Sequence, residues 1–237
     1  MNKHFIFLYN SYFYKKKIAL HCCSNNCNNK EYVDIIDNIK NKFPYLDFNI
    51  HVVYTNSTSS ESIYEIDSYF EDTEFIKYTE HEKFIDYVSK DIKINALDVA
   101  KAILCKKSLS NLELQKILYF IAVRFIKRYD IKLFDEEFQC WDLGPVVPSV
   151  YRFYKKYGRK KIISIDNKFK VIVFSKLSKF ERYYELLEII DDVLEEYKDC
   201  SPKELVNVSH KDGGAWNFSK KMNNNIISWD IIKVSDD

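Results

Sequence analysis

Glycine and proline are scarce in this chain, with four of each in 237 residues. No Gly/Ser linker, low-complexity tract or fixed-period repeat is visible, which argues against a string of flexibly joined modules and against a solenoid. No apolar run approaches the roughly 20 residues needed to span a bilayer, so no membrane partner is expected. The opening MNKHFIFLYNSYFYKKKIAL is apolar near its start, but Asn10 and Ser11 interrupt it, Lys15 to Lys17 follow it, and a small-residue cleavage site is missing; a signal peptide is not expected. An excess of one charge is lacking too. Thirty-six Lys and Arg nearly cancel 35 Asp and Glu, so the strongly basic balance of phosphate-tracking proteins is absent. Six cysteines stand at 22, 23, 27, 105, 140 and 200. Three crowd together and three sit singly in apolar patterns, unlike a disulfide framework, and a reducing cytoplasm is the expected setting.

What is present is apolar and aromatic: 46% of residues are hydrophobic and 16% aromatic, with 18 Tyr and 17 Phe. That is ample for a sizeable core. Abundant Lys, Asn and Ile point to an AT-rich coding bias, so residue types mean little here and spacing carries the argument.

Residues 1 to 90 read as a small α/β domain. Phe5 to Tyr9 and Ile18 to His21 suggest strands; Tyr32, Ile35, Ile36 and Ile39 recur at helical spacing; Phe48, Ile50, Val52 and Val53 suggest a further strand. Polar Thr55 to Ser62 reads as a loop, Phe75 to Tyr78 as a strand and Phe84 to Val88 as part of a closing helix. The cluster His21-Cys22-Cys23-Ser24-Asn25-Asn26-Cys27 has soft ligands, which His51 could join. Zinc usually asks for a second ligand pair, and that pair is missing. Buried or incidental thiols are the plainer reading, with Asn25 to Cys27 as a cap region for the next helix; no metal or cofactor is expected.

From residue 91 to 237 the pattern becomes mainly α-helical, giving an α+β chain overall. Asn95 is placed to cap a helix bearing Ala96, Val99, Ala100, Ile103 and Leu104. Ser110 and Glu113 form an S-x-x-E box ahead of Leu114, Ile117, Leu118, Ile121 and Phe125. Further boxes at Ser178/Glu181 and Ser201/Glu204 predict helix starts, the latter with Pro202 at the first helical position. Between them, Ile162 to Ile165 and Lys170 to Phe174 are β-branched runs joined by Asp166-Asn167, which predicts a small β-hairpin.

The segment Trp141-Asp142-Leu143-Gly144-Pro145-Val146-Val147-Pro148-Ser149-Val150-Tyr151 places two prolines around two valines after a glycine. The backbone is pinned into a corner that leads to a helix starting at Pro148 and leaving at Gly158. With it come Leu114-Gln115-Lys116-Ile117-Leu118-Tyr119-Phe120 upstream and Ser209-His210 with Trp216 downstream. These three ordered motifs, over about 140 residues, resemble the SocA-like or Panacea antitoxin domain, whose hallmarks are an LQKLLYF-type helix, a tryptophan followed by GPVxPxVY, and a late His and Trp. Departures are Glu113, where a basic or polar residue is common, Cys140 before Trp141, and Ala215 in place of proline before Trp216. The first 90 residues lie outside the resemblance.

The resemblance implies an antitoxin, often encoded in prophages or mobile elements, that performs no chemistry and binds a cognate toxin from an adjacent gene, with delivery to a protease as a related mechanism. Gln115, Lys116, Tyr119, Trp141, Gly144, Pro145, Pro148, Tyr151, His210 and Trp216 are the residues it singles out for partner contact or its support. On their own chemistry, Gln115, Lys116 and Tyr119 only partly face the apolar stripe, so their polar ends are expected to reach solvent or a partner. Trp141 reads as core ballast and His210 as a C-terminal helix cap through its ring. No nucleophile elbow or base-orienting set is found, so the chain is not read as an enzyme. Two alternatives are a prophage-associated nucleic-acid-binding regulator, using Arg152, Lys155 and Lys156 after Pro148, and an enzyme hosted by the N-terminal domain. Nucleic acid is not the expected partner, since such basic runs usually form solvated helix faces.

Overall fold

The computed structural model describes residues 1–25, 27–163 and 167–236. The chain divides into two compact units, Met1–Lys93 and Ile94–Asp237.

In the first unit, strands β1 (Asn2–Ser11) and β2 (Lys16–Cys23) form an antiparallel hairpin. Helix α1 (Asn29–Lys42) leads to β3 (Asn49–Thr55), and a short helix α2 (Glu61–Ile66) leads to β4 (Thr73–Lys77) and α3 (His81–Asp91). The sheet order is β3-β1-β2-β4, with β2 and β4 parallel. Phe7, Tyr9, Ile18 and Leu20 pack with Ile36 and Ile39 of α1 and with Phe84 and Val88 of α3, while Ile6, Leu8 and Ala19 pack with Ile63 and Phe70. Burial on both faces explains why β1 reads as a continuous apolar run rather than an alternating one.

The α1 N-cap is Asn28, whose side chain accepts from Glu31 N–H; of the expected cap region at 25 to 27, residue 26 lies outside the described residues. The cysteine expectation needs correction. Cys22 and Cys27 are joined in a disulfide, with Cα atoms 5.7 Å apart, whereas Cys23, Cys105, Cys140 and Cys200 are thiols. Side chains alternate along β2, so His21 points away from Cys22 and its Nε2 lies 2.8 Å from Nδ1 of buried His4.

Asp91, buried at the end of α3, accepts hydrogen bonds from Tyr9 Oη, Ser11 Oγ and the backbone N–H groups of Tyr12 and Phe13. One carboxylate thus fastens the β1–β2 turn. Removing it orphans several donors at once, so Asp91→Ala should cost about 3 kcal/mol, read as a lower melting temperature in circular dichroism.

The second unit is built around α5 (Asn111–Tyr129), which is buried on nearly every side. A helix buried over most of its length, Leu114 to Val123 without a break, lies inside the bundle. Around it run α4 (Ala96–Lys106), α6 (Pro148–Tyr154), α7 (Asn167–Leu177), α8 (Tyr183–Glu196), α9 (Pro202–Ser209), α10 (Ala215–Lys221) and α11 (Trp229–Val234). A three-stranded sheet in the order β6-β5-β7 completes it, formed by β5 (Phe138–Trp141), β6 (Gly144–Val146) and β7 (Ile226–Ile227). Reciprocal capping boxes open α4 at Asn95/Asp98, α5 at Ser110/Glu113 and α9 at Ser201/Glu204. Glu113, unusual for the resemblance, thus secures the N-terminus of the central helix.

Two local expectations fail. The hairpin predicted at 162 to 174 is not formed: residues 164 to 166 lie outside the described residues, and Lys170 to Phe174 belong to α7. Val173, Phe174 and Leu177, at helical spacing, pack on the core, and that burial outweighs the β preference of the run. The Ser178/Glu181 box opens no helix. Ser178 sits past the end of α7, its Oγ donating to Ser175 O at 3.0 Å, and α8 starts at Tyr183 without a side-chain cap. The small β-hairpin of this unit is β5–β6, on the Trp141–Gly144 turn.

Candidate functional site

The three motifs converge on the β5–β6 hairpin. Gly144 begins β6 with φ +99, a conformation that L side chains rarely adopt. A Cβ there would lie 2.5 Å from Ser209 Oγ and 2.8 Å from Lys116 Nζ, so glycine lets the hairpin lie directly on α5 and α9. Pro145 then presents its carbonyl to the lysine: Lys116 Nζ donates to Pro145 O at 2.8 Å. Gln115 supports the next step, its Oε1 accepting Val147 N–H at 2.9 Å and its Nε2 donating to Asn111 Oδ1 at 3.4 Å. Asn111 in turn donates to Tyr151 O at 3.0 Å. Pro148 occupies the first turn of α6, where its missing N–H leaves nothing unpaired.

These contacts correct the expected placement of the helix residues. Gln115, Lys116 and Tyr119 do not reach solvent; they are 2%, 1% and 0% exposed. Because α5 is surrounded over most of its length, these polar positions face neighbouring elements. Tyr119 packs edge-on against Phe138, 5.2 Å between centroids. Lys116 has no carboxylate partner among the described residues, and burial lowers its pKa to about 7.

Trp141 is no core ballast. It is 37% exposed, with its ring edge-on to Tyr151 at 4.9 Å and its Nε1 donating to Gln139 Oε1 at 2.9 Å. Its carbonyl accepts from Trp216 Nε1, also at 2.9 Å. Trp216 stacks on His210, with centroids 3.5 Å apart and planes within 10°. His210 therefore terminates α9 through its backbone N–H, not its ring. Its Nε2 is buried without a hydrogen-bond partner among the described residues, and burial, then the charges of Lys116 and Lys220, lower its pKa. Ala215 takes the first position of α10, which suits the proline it replaces.

The hairpin, α5 and α6 enclose a cavity of about 680 Å³. Buried Asn111, Gln115 and Lys116 lie at its inner end, and Trp141, Leu143 and Tyr151 form an apolar wall. Lys155 and Arg159 stand on the exposed rim with Lys220, which pairs with Asp142 at 2.9 Å. Leu143 and the cavity itself were not legible in the sequence; the only hint was an apolar residue in a tight turn. Arg152, Lys155 and Lys156 of the basic run are exposed, on or just after the seven-residue α6.

A buried motif lysine, a glycine with positive φ and a stacked His–Trp pair thus meet around one hairpin. The family model for "Antitoxin SocA-like, Panacea domain" matches residues 114–217. The protein "Antitoxin SocA" of Caulobacter vibrioides (strain NA1000 / CB15N) is 36% identical over 131 residues, which cover 52% of this chain and 69% of that protein. The chain belongs to the SocA-like Panacea family. No solved structure matches it. Among the described residues, no helix is long and apolar enough to cross a membrane.

Proposed function

We propose that the chain is an antitoxin that neutralises a cognate toxin by direct protein–protein binding through the second unit, acting as a binding protein and not as an enzyme. Family membership supports the role. The observation that carries the location is the β5–β6 turn, where Trp141 and Leu143 are 37% and 59% exposed on a hairpin whose next four residues, Gly144 to Val147, are buried. A rigid base under exposed aromatic and aliphatic side chains suits an interface anchor, and tryptophan is a favoured hot-spot residue. The toxin is the product of a neighbouring gene, and the first unit offers a second contact surface that selects it.

The test is to express the neighbouring gene alone and with this chain, then co-purify the products. Toxicity alone, rescue by co-expression and a stable complex are expected. Replacing Leu143, the more exposed of the two, with aspartate should weaken the complex at least tenfold while leaving the melting temperature nearly unchanged. A harmless neighbour, or rescue without a complex, would overturn the reading. Rescue accompanied by a shortened toxin half-life would identify delivery to a protease as the route.

A further inference from the structure

The cavity beside the hairpin holds more positive charge than the fold uses. Lys116, Lys155 and Arg159 have no acid partner among the described residues, and the single lining carboxylate, Asp142, is engaged by Lys220. This is local, because the chain as a whole carries a net charge of +1. Lys116 lines the inner end of the cavity, 1% exposed, with one N–H on Pro145 O. Asn111 and Gln115 already hold the backbone of the corner, so the amides act as scaffold while Lys155 and Arg159 stand exposed on the rim. A buried, unpaired lysine costs stability, and such groups in a cleft mark binding sites.

Size and shape narrow the ligand. About 680 Å³ lies in the range of small-molecule sites and exceeds what one carboxylate or phosphate fills. The Trp141–Leu143–Tyr151 wall suits a flat apolar group joined to the anion. We propose that this cavity binds a small phosphorylated ligand of the nucleotide class, its phosphates received by Lys116, Lys155 and Arg159 and its base set against Trp141 and Tyr151. Binding would draw a proton onto Lys116 above pH 7, so affinity falls as the pH is raised from 7 to 9.

The test uses the full chain without any partner, titrated calorimetrically at low salt with ATP, pyrophosphate, adenosine and hexaglutamate. ATP should bind with a Kd on the order of 100 μM or tighter, pyrophosphate about tenfold more weakly for want of a stacking base, and adenosine and hexaglutamate more weakly still. Lys155→Glu with Arg159→Glu, both exposed and unpaired, should leave the melting temperature unchanged and weaken ATP binding at least tenfold. Lys116→Met should abolish the pH dependence. No ATP binding at 1 mM, equal affinity in the double variant, or hexaglutamate binding more tightly than ATP would overturn the proposal; the last would mark an acidic polypeptide as the occupant. Because no toxin is present, these outcomes are independent of the antitoxin reading.

Discussion

Lys116→Met is expected to stabilise the protein by about 2–3 kcal/mol at pH 7 and to remove a pH dependence that the parent chain shows. The physical reason is burial without a counter-charge. An ordinary lysine holds its proton to about 10.5, whereas burial lowers Lys116 to about 7. Between these values the unfolded chain binds a proton that the folded chain has released, so stability rises with pH across that window. Below pH 7 both states are protonated and the full cost of burying the ammonium applies; it is relieved as the pH rises toward 10.5. At about 1.4 kcal/mol per pH unit, the gain between pH 7 and 10 is about 4 kcal/mol. Methionine fills a similar volume and gives up only the bond to Pro145 O, worth about 1 kcal/mol. Urea unfolding of both proteins at pH 6, 7, 8 and 9 tests this, and parallel curves would show that Lys116 is not the titrating group. A residue that lowers stability yet sits in a family motif is better understood by what it binds than by what it holds together.

Gly144→Ala should have the largest opposite effect, a loss of about 3 kcal/mol and a fall of about 10 °C in melting temperature. Two costs combine. The φ of +99 is unfavourable for any Cβ, and that Cβ would meet Ser209 Oγ and Lys116 Nζ at 2.5 and 2.8 Å. Either these side chains shift, breaking the Lys116–Pro145 bond, or the hairpin lifts from α5 and α9. Gly158→Ala is the control. Gly158 also has positive φ, at +57, but nothing lies within 4 Å of its Cβ position, so strain alone, about 1 kcal/mol, is expected. Equal losses at the two positions in thermal melts would show that the close approach at Gly144 is not what the glycine serves.

The elements that could be read from sequence were those with local signals. Asn95, Ser110 and Ser201 cap helices three residues ahead of an acidic partner, and the stripes on α1, α4 and α5 repeat with the helical period. The same local logic misled at Ser178, where a box pattern falls at a helix exit, and at Lys170 to Phe174, where a β-branched run buries one helical face. For the motif residues the expected exposure was inverted: Lys116 and Gln115 lie inside and Trp141 is partly exposed.

By itself the sequence determined the helical character of the second unit and its main caps, because periodicity and capping act over a few residues, while its three ordered motifs carried the family resemblance. Tertiary structure decided the cavity, the isolation of Lys116 and the His210–Trp216 stack. Those depend on groups far apart in the chain, such as the Trp141 carbonyl and the Trp216 indole, 75 residues apart, and no local pattern encodes which neighbours a folded chain brings to a lysine. The scarcity of glycine takes its meaning there too: at Gly144, only the packed hairpin shows why no other residue fits.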